Sequence, residues 1–376
     1  MLDLAAPDQN KVISLVYKHV IAPVYHMKLM LTTIALIANV FLFCSFTTMA
    51  QNKIMLTNYT YAPGQTTIGK VVVLNAKATE FKFKLTGENA KNFIIDKNNN
   101  LTVSKTFAAQ NQQKWHDVVI EANAGNEIIQ DTFRVVKDEF IRNQVIAHRG
   151  AWKNTGATEN SIGALQHAIK LGCAGSEFDV HMSSDSVLFI HHDSDVQHIP
   201  IEKTSAAALT QLKLSNGENL PTLEAYLQEG IKQNKTRLIL EIKPSVISKE
   251  RSLALAEKVV QLVNQYKAQG WVDYISFDYD ILKKVLALNP YAKVAYLNGD
   301  VAPVKLAQDK FYGFDYHFKV LQKNESWIKE AHQHKLTVNA WTVNDTALMD
   351  WLLERKADFI TTNEPEILLQ KVKQPK

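Results

Sequence analysis

The chain has 376 residues, 46% of them hydrophobic and 21% charged, and its formal net charge is only +4. That composition excludes wholesale disorder and leaves room for one large domain with a small one, or for two of middling size. The charge is slight, and no dense Lys/Arg tract is interleaved with aromatics, so nucleic acid is excluded as the expected partner.

In chain order, residues 1–26 read as an upstream extension from an early start codon. From Met27 the chain carries one Lys, an apolar run, then Thr48-Met49-Ala50 before Gln51, which reads as a signal peptide over 27–50 cleaved after Ala50. The apolar run is nearly long enough to span a bilayer, so a signal anchor is the alternative. Phe43 before Cys44 is too bulky for a lipoprotein signal. Cleavage leaves Cys173 as the one remaining cysteine, and export without a disulfide fits a secreted or periplasmic bacterial protein.

Residues 51–137 lack helical periodicity. Short alternating runs, "KVVVLNA", "EFKFKLTG", "NFIIDKNNNLTVS", "HDVVIEANAG" and "DTFRVV", are punctuated by Asn and Gly, the pattern of a small all-β sandwich. The later runs resemble the second half of a cadherin-like repeat, though the acidic calcium motifs that join such repeats are mostly missing. A module of this kind implies support of its neighbour, or contact with a glycan or a membrane surface. Residues 138–144 form a short charged linker.

From 145 to 376 the pattern changes to apolar strands alternating with amphipathic helices. The strand candidates are "VIAHRG", "GSEFDV", "RLILEIKP", "DYISFD", "KVAYLN", "GFDYHF", "TVNAWTVN" and "DFITTN". Eight such units predict a (β/α)8 TIM barrel whose working face lies at the strands' C-terminal ends. A doubly wound open sheet is the alternative, and it lacks the glycine-rich phosphate turn expected after its first strand.

Most barrel strands finish in polar residues. Glu177 and Asp179 are two apart and share a face, as do Glu241 and Lys243. Carboxylates converging on a barrel interior need protons or a cation to neutralise them, and an all-oxygen set suits Ca²⁺ or Mg²⁺. An internal ion-pair network with Lys243 and Arg149 is the competing reading. The leftover strand "VLFIHHD" follows the turn composition "MSSDS". A hairpin turning at Ser184-Asp185 is expected to bring His192 opposite Glu177, at the mouth that His148 reaches from the first strand. Two imidazoles flanking an acidic site are suited to paired acid and base work. Surface or packing roles suffice for His167, His191, His198, His332 and His334, and helix capping for Glu159, Asn160 and Ser161, with a pocket role as the alternative.

Taken in order, "AHRG", "TENS", "GSEFDVHMSSDSVLFIHHD", "NLPTLEAYL", "LILEIKP", "NAWTVN" and "DFITTNEP" resemble the glycerophosphodiester phosphodiesterases, from about Val145 to Pro365. The resemblance implies a barrel holding one divalent cation, and cleavage of glycerophosphodiesters to glycerol 3-phosphate and an alcohol. It implies His148 and His192 as the acid/base pair and Glu177, Asp179 and Glu241 as metal ligands. It also implies that Arg149 clamps the phosphate, Lys243 adds a second positive charge and Trp341 lines the glycerol side. "ATENS" departs from the family's usual pattern by having Thr158 where Pro is common and Ser161 in place of Thr. The short stretch from His192 to Leu220 carries no large capping insertion, which implies an open pocket. Two other readings are carried along. One is a phospholipase-D-like or phosphoinositide-directed enzyme acting on acylated lipids, which an apolar rim around Trp152, Tyr279 or Phe318 favours. The other is an inactive barrel on a surface-binding protein.

Overall fold

The computed structural model describes residues 52–373, apart from Pro63, 77–80 and 105–112. The extension and signal-peptide readings, and Cys44, lie outside the described residues. Among the described residues no helix is long and apolar enough to cross a membrane.

Lys53–Lys376 forms one compact unit. Its first part is two four-stranded sheets. One has the order β1-β3-β6-β5, from Lys53–Leu56, Thr67–Leu74, Asn100–Val103 and Phe93–Ile95. The other has the order β2-β8-β7-β4, from Thr60–Tyr61, Glu127–Lys137, Trp115–Ala124 and Lys82–Thr86. Period-2 burial builds this sandwich: on β7, His116, Val118, Ile120 and Ala122 point in while the residues between them stay partly exposed. They meet Leu56, Leu101 and Phe133 in one apolar core. The five quoted runs fall on these strands, whereas β1 and β2, of four and two residues, lie outside those runs.

The remainder is a closed parallel barrel. In chain order its strands are β9 (Val145–Ala147), β10 (Gly175–Met182), β14 (Arg237–Ile242), β15 (Val272–Ser276), β16 (Val294–Tyr296), β17 (Gly313–His317), β18 (Thr337–Trp341) and β19 (Phe359–Thr362). Pairing of β19 with β9 and of β9 with β10 closes the ring. Each expected strand segment is one of these eight. Between β10 and β14 the chain adds β11 (Leu188–Ile190) and a small hairpin of β12 (Asp195–Val196) and β13 (Ile199–Pro200). This stretch packs on its own apolar cluster, with Phe189, Ile201 and Leu209 at its centre.

The sandwich meets the barrel through a packed seam. Trp115 on β7 lies edge-on to Trp271 just before β15, with centroids 5.8 Å apart. Gly270 is required there, since a Cβ would come within 2.7 Å of Val136 Cγ2. Lys267 reaches Asp117 at 2.9 Å, and the Asn234 amide donates to the Lys137 carbonyl. Trp271 is fully buried, and truncating it removes packing on both sides of the seam. Trp271→Ala is expected to cost about 3–5 kcal/mol, read as a lowered midpoint in calorimetry. An unchanged midpoint would mean that the seam contributes nothing to stability.

Candidate active site

The strand β9 ends where His148, Arg149 and Gly150 turn the chain across the barrel mouth. Arg149 has φ +56° and Gly150 φ +79°, so two successive residues take left-handed backbone. Glycine is required at the second, because a Cβ would sit 2.6 Å from Ala164 Cβ. The turn aims the Arg149 N–H at Glu177 Oε2, 2.8 Å away. It also leaves the His148 ring Nδ1 on Asn363 Oδ1 at 2.8 Å, with Nε2 3.9 Å from Glu177 Oε2.

The three expected acids do come together. Glu177, Asp179 and Glu241 are all buried, and one oxygen of each lies within 4.8 Å of the others. Strand register places Asp179 beside Glu241, while Phe178 faces outward onto Tyr226 with centroids 4.2 Å apart. Lys243 Nζ bridges Asp179 Oδ1 and Glu241 Oε1 at 2.9 Å each. Part of the ion-pair network therefore exists, yet it leaves Glu177 Oε1 buried without a hydrogen-bond partner. An orphaned carboxylate oxygen in an all-oxygen set suits a hard divalent cation.

Electrostatics divide the triad. Burial, then the charges of Asp179 and Glu241, push the Glu177 carboxyl well above its usual range. Burial and Asp179 likewise push Glu241 up to about 7, against the pull of Lys243. Burial would raise Asp179 as well, but Lys243, His192 and the Asn160 amide hold it down to about 2. A cation entering this site must displace the proton on Glu241. Affinity is therefore expected to weaken as pH falls below 7, by up to about tenfold per pH unit for each proton displaced. Calcium or magnesium titrations at pH 6, 7 and 8 check this; equal affinity across the series would contradict it.

The second histidine arrives by a hairpin whose register differs from expectation. Val180 pairs with Ile190 and Met182 with Leu188, around a loop in which Ser186 has φ +70°. That register sets His191, not His192, across from Asp179, and the His191 N–H donates to the Asp179 carbonyl at 3.1 Å. His192 lies one residue past the ladder and so not opposite Glu177; a one-residue difference in the turn moves every side chain by one position. Its ring still interacts electrostatically with both His148 and Asp179, and its Nδ1 is 2.7 Å from Asp193 Oδ1.

Arg149 is held by Glu159, whose two oxygens are each 3.0 Å from Nη1, and its Nε lies 3.9 Å from Asp179. Trp341 donates its indole N–H to the Asp315 carbonyl at 2.8 Å and stands edge-on to Phe277 and His317, forming an aromatic wall above β18.

Capping accounts only for Ser161, whose hydroxyl accepts from Ala164 N at the start of Ile162–Leu171. Glu159 serves Arg149 instead, and Asn160 donates to Asp179 Oδ2 at 2.8 Å while accepting the Asp179 N–H. Asn160 thus takes the pocket role that was the alternative to capping, while two supporting residues were missed: Asn363 behind His148, and His181, whose Nε2 meets the His192 carbonyl at 3.2 Å. Asn160 and Asn363 stand inside the quoted motifs "TENS" and "DFITTNEP", which was the signal available.

The family model described as the glycerophosphoryl diester phosphodiesterase family matches residues 148–367. A glycerophosphodiester phosphodiesterase of Caldanaerobacter subterraneus subsp. tengcongensis is 26% identical over 250 residues, covering 62% of this chain and 99% of that protein. Among solved structures, a glycerophosphodiester phosphodiesterase from Parabacteroides distasonis is 43% identical with a TM-score of 0.60, covering 62% of this chain and 98% of that one. An Oleispira antarctica phosphodiesterase, solved with the product sn-glycerol-3-phosphate, shares the fold at 24% identity and a TM-score of 0.52, covering 62% of this chain and 97% of its own. The sandwich lies before the family match, so its cadherin-like character rests on sequence pattern alone.

Proposed function

The chain belongs to the glycerophosphoryl diester phosphodiesterase family and is a phosphoric diester hydrolase, and from that premise we propose how it works: a metal-dependent cleavage of glycerophosphodiesters to glycerol 3-phosphate and an alcohol. The observation that carries this reading is the buried triad with its unpaired Glu177 oxygen, beside which His148 Nε2 lies 3.9 Å from Glu177 Oε2.

Glu177, Asp179 and Glu241 would hold one Ca²⁺ or Mg²⁺, which when bound supplies positive charge to the phosphoryl oxygens. The Arg149 guanidinium, fixed by Glu159, offers its remaining edge to the phosphate, and Lys243 adds a second positive charge. Trp341 lines the glycerol side with Phe277. The glycerol 2-hydroxyl oxygen bonds to phosphorus, the P–O bond to the alcohol breaks, and water then opens the cyclic phosphate. Holding that hydroxyl near phosphorus replaces a bimolecular encounter. Asn363 Oδ1 accepts from His148 Nδ1, so Nε2 is the open acceptor. Burial, then the Arg149 charge, depress His148 to about 4, leaving it neutral at pH 7 and fit to begin as base. His192 Nδ1 lies 2.7 Å from the Asp193 carboxylate, which orients the ring, and His192 gives the proton to the departing alcohol.

The test is release of glycerol 3-phosphate from a panel of glycerophosphodiesters, with chelator and after adding calcium or magnesium. No release, or release indifferent to chelator, defeats the reading. A second reading, action on acylated lipids, is favoured by Val246 and Ile247, which are 68% and 52% exposed on the loop just after Lys243. Trp152, Tyr279 and Phe318 are partly buried and so offer less exposed apolar surface than Val246 and Ile247. A lysophospholipid in the same panel separates the two. We also propose, from sequence alone, export to the periplasm or cell exterior, the divisions 51–137, 138–144 and 145–376, and a sandwich that supports the barrel or contacts glycan or membrane.

A further inference from the structure

A second cavity, of about 540 Å³, opens at the other end of the barrel, among the starts of its strands and the joint at Asp138–Gln144. At its inner end Asp315 and Asn339 are register partners on β17 and β18, only 2% and 8% exposed. Each leaves its side-chain Oδ1 buried without a hydrogen-bond partner. The Asn339 amide donates to Thr361 Oγ1 at 2.9 Å and to the Asp315 carboxylate, so the two unpartnered oxygens are what the pair turns to the cavity. Leaving a buried acceptor unmatched costs about 1–3 kcal/mol, which makes two side by side an unusual feature to retain. Toward the opening the lining carries Arg237 and Lys293 among the carboxylates of Asp138, Asp273 and Asp358. Arg237 stands 3.7 Å from Asp273, and Lys293 Nζ lies 4.8 Å from the Tyr312 ring. The space far exceeds the ~30 Å³ share of one water molecule, so a single bridging water does not fill it.

We propose that this cavity binds a small zwitterion, its ammonium group directed at Asp315 and Asn339 and its phosphate or carboxylate at Arg237 and Lys293. A primary ammonium brings three donors to the two unpartnered oxygens, and its charge would draw Asp315, which burial pushes well above the usual carboxylate range, toward its ionised form. A hydroxyl supplies one donor and no charge. The anionic end meets guanidinium and ammonium groups that the inner end lacks. Because the strands' C-terminal ends carry the Glu177, Asp179 and Glu241 cluster, occupancy here leaves that mouth open, and the inference does not rest on the proposed function.

Calorimetric titration of the full chain, with chelator present throughout, tests it with phosphoethanolamine and 4-aminobutyrate. Ethanolamine and inorganic phosphate serve as half-molecule probes. The expected result is that at least one zwitterion binds more tightly than either half, and that Asp315→Asn and Lys293→Met each weaken it by about tenfold or more. Lys293→Met is expected to keep the parent melting temperature and hydrolytic turnover, so it decides the matter should Asp315→Asn fold poorly. Absence of heat with both zwitterions, which leaves a water-filled cavity, overturns the proposal. So does equal affinity for phosphate alone, or undiminished binding in Lys293→Met.

Discussion

Replacing either His148 or His192 with alanine is expected to lower turnover by about 10²–10⁴-fold while the protein still binds its cation. The reasoning is positional. His148 stands 3.9 Å from Glu177 and His192 interacts electrostatically with Asp179, yet neither belongs to the cluster, since only Glu177, Asp179 and Glu241 bring ligand atoms within 4.8 Å of one another among the described residues. Losing an imidazole therefore removes a proton carrier and leaves the ligand set whole. The two variants should differ in their pH profiles. His148 sits in a depressed range near 4, so the alanine variant loses the acidic limb of the parent profile. Asn363→Ala offers a milder version: it frees Nδ1, unsettles which nitrogen carries the proton, and lowers turnover without removing the ring. Steady-state kinetics with calorimetric cation binding decide the case. A variant retaining near-parent turnover removes that histidine from the chemistry, and one that loses cation binding makes it a ligand.

Much of the barrel could be read from the chain because its signals are local. Each strand is a short apolar run, and the spacing of Glu177, Asp179 and Glu241 within strands fixes which face they share. The polar supports were harder, because their partners are remote. Asn363 meets His148 across 215 positions, and nothing in "TTNEP" says which side chain its amide will hold. Asn160 looked like a helix cap because Asn is common there, but φ +60° at that residue swings its amide onto Asp179 and passes capping to Ser161. The hairpin carrying His192 failed on register: "MSSDS" announces a turn without fixing its length, and the residue gained at Ser186 moved His192 past the ladder. Asp315 and Asn339 were invisible as a pair, because only the pairing of β17 with β18 makes them neighbours.

Glu177→Gln and Glu241→Gln are expected to act in the opposite way to the histidine variants, by removing the cation and with it the activity. The amide keeps the shape of the side chain and loses the charge, so cation affinity should fall by at least about 10²-fold and turnover should drop to background. Glu177 makes the sharper case. One of its oxygens already accepts the Arg149 N–H and the other has no partner, so the unpaired oxygen is the one available to a cation. At Glu241 the substitution also strips a charge from Lys243, which keeps Asp179 as its remaining partner. Without cation, however, three buried acids crowd one another, which is why Glu177 and Glu241 are pushed upward. Removing one relieves that repulsion, and the Glu177→Gln protein should melt at or above the parent temperature in chelator. The parent should overtake it once calcium or magnesium is added, because only the parent gains binding energy from the ion. Melting curves with and without cation, set beside calorimetric affinities, read both effects at once. A Glu177→Gln protein that binds cation as the parent does would show that the cluster is an ion-pair network and not a metal site.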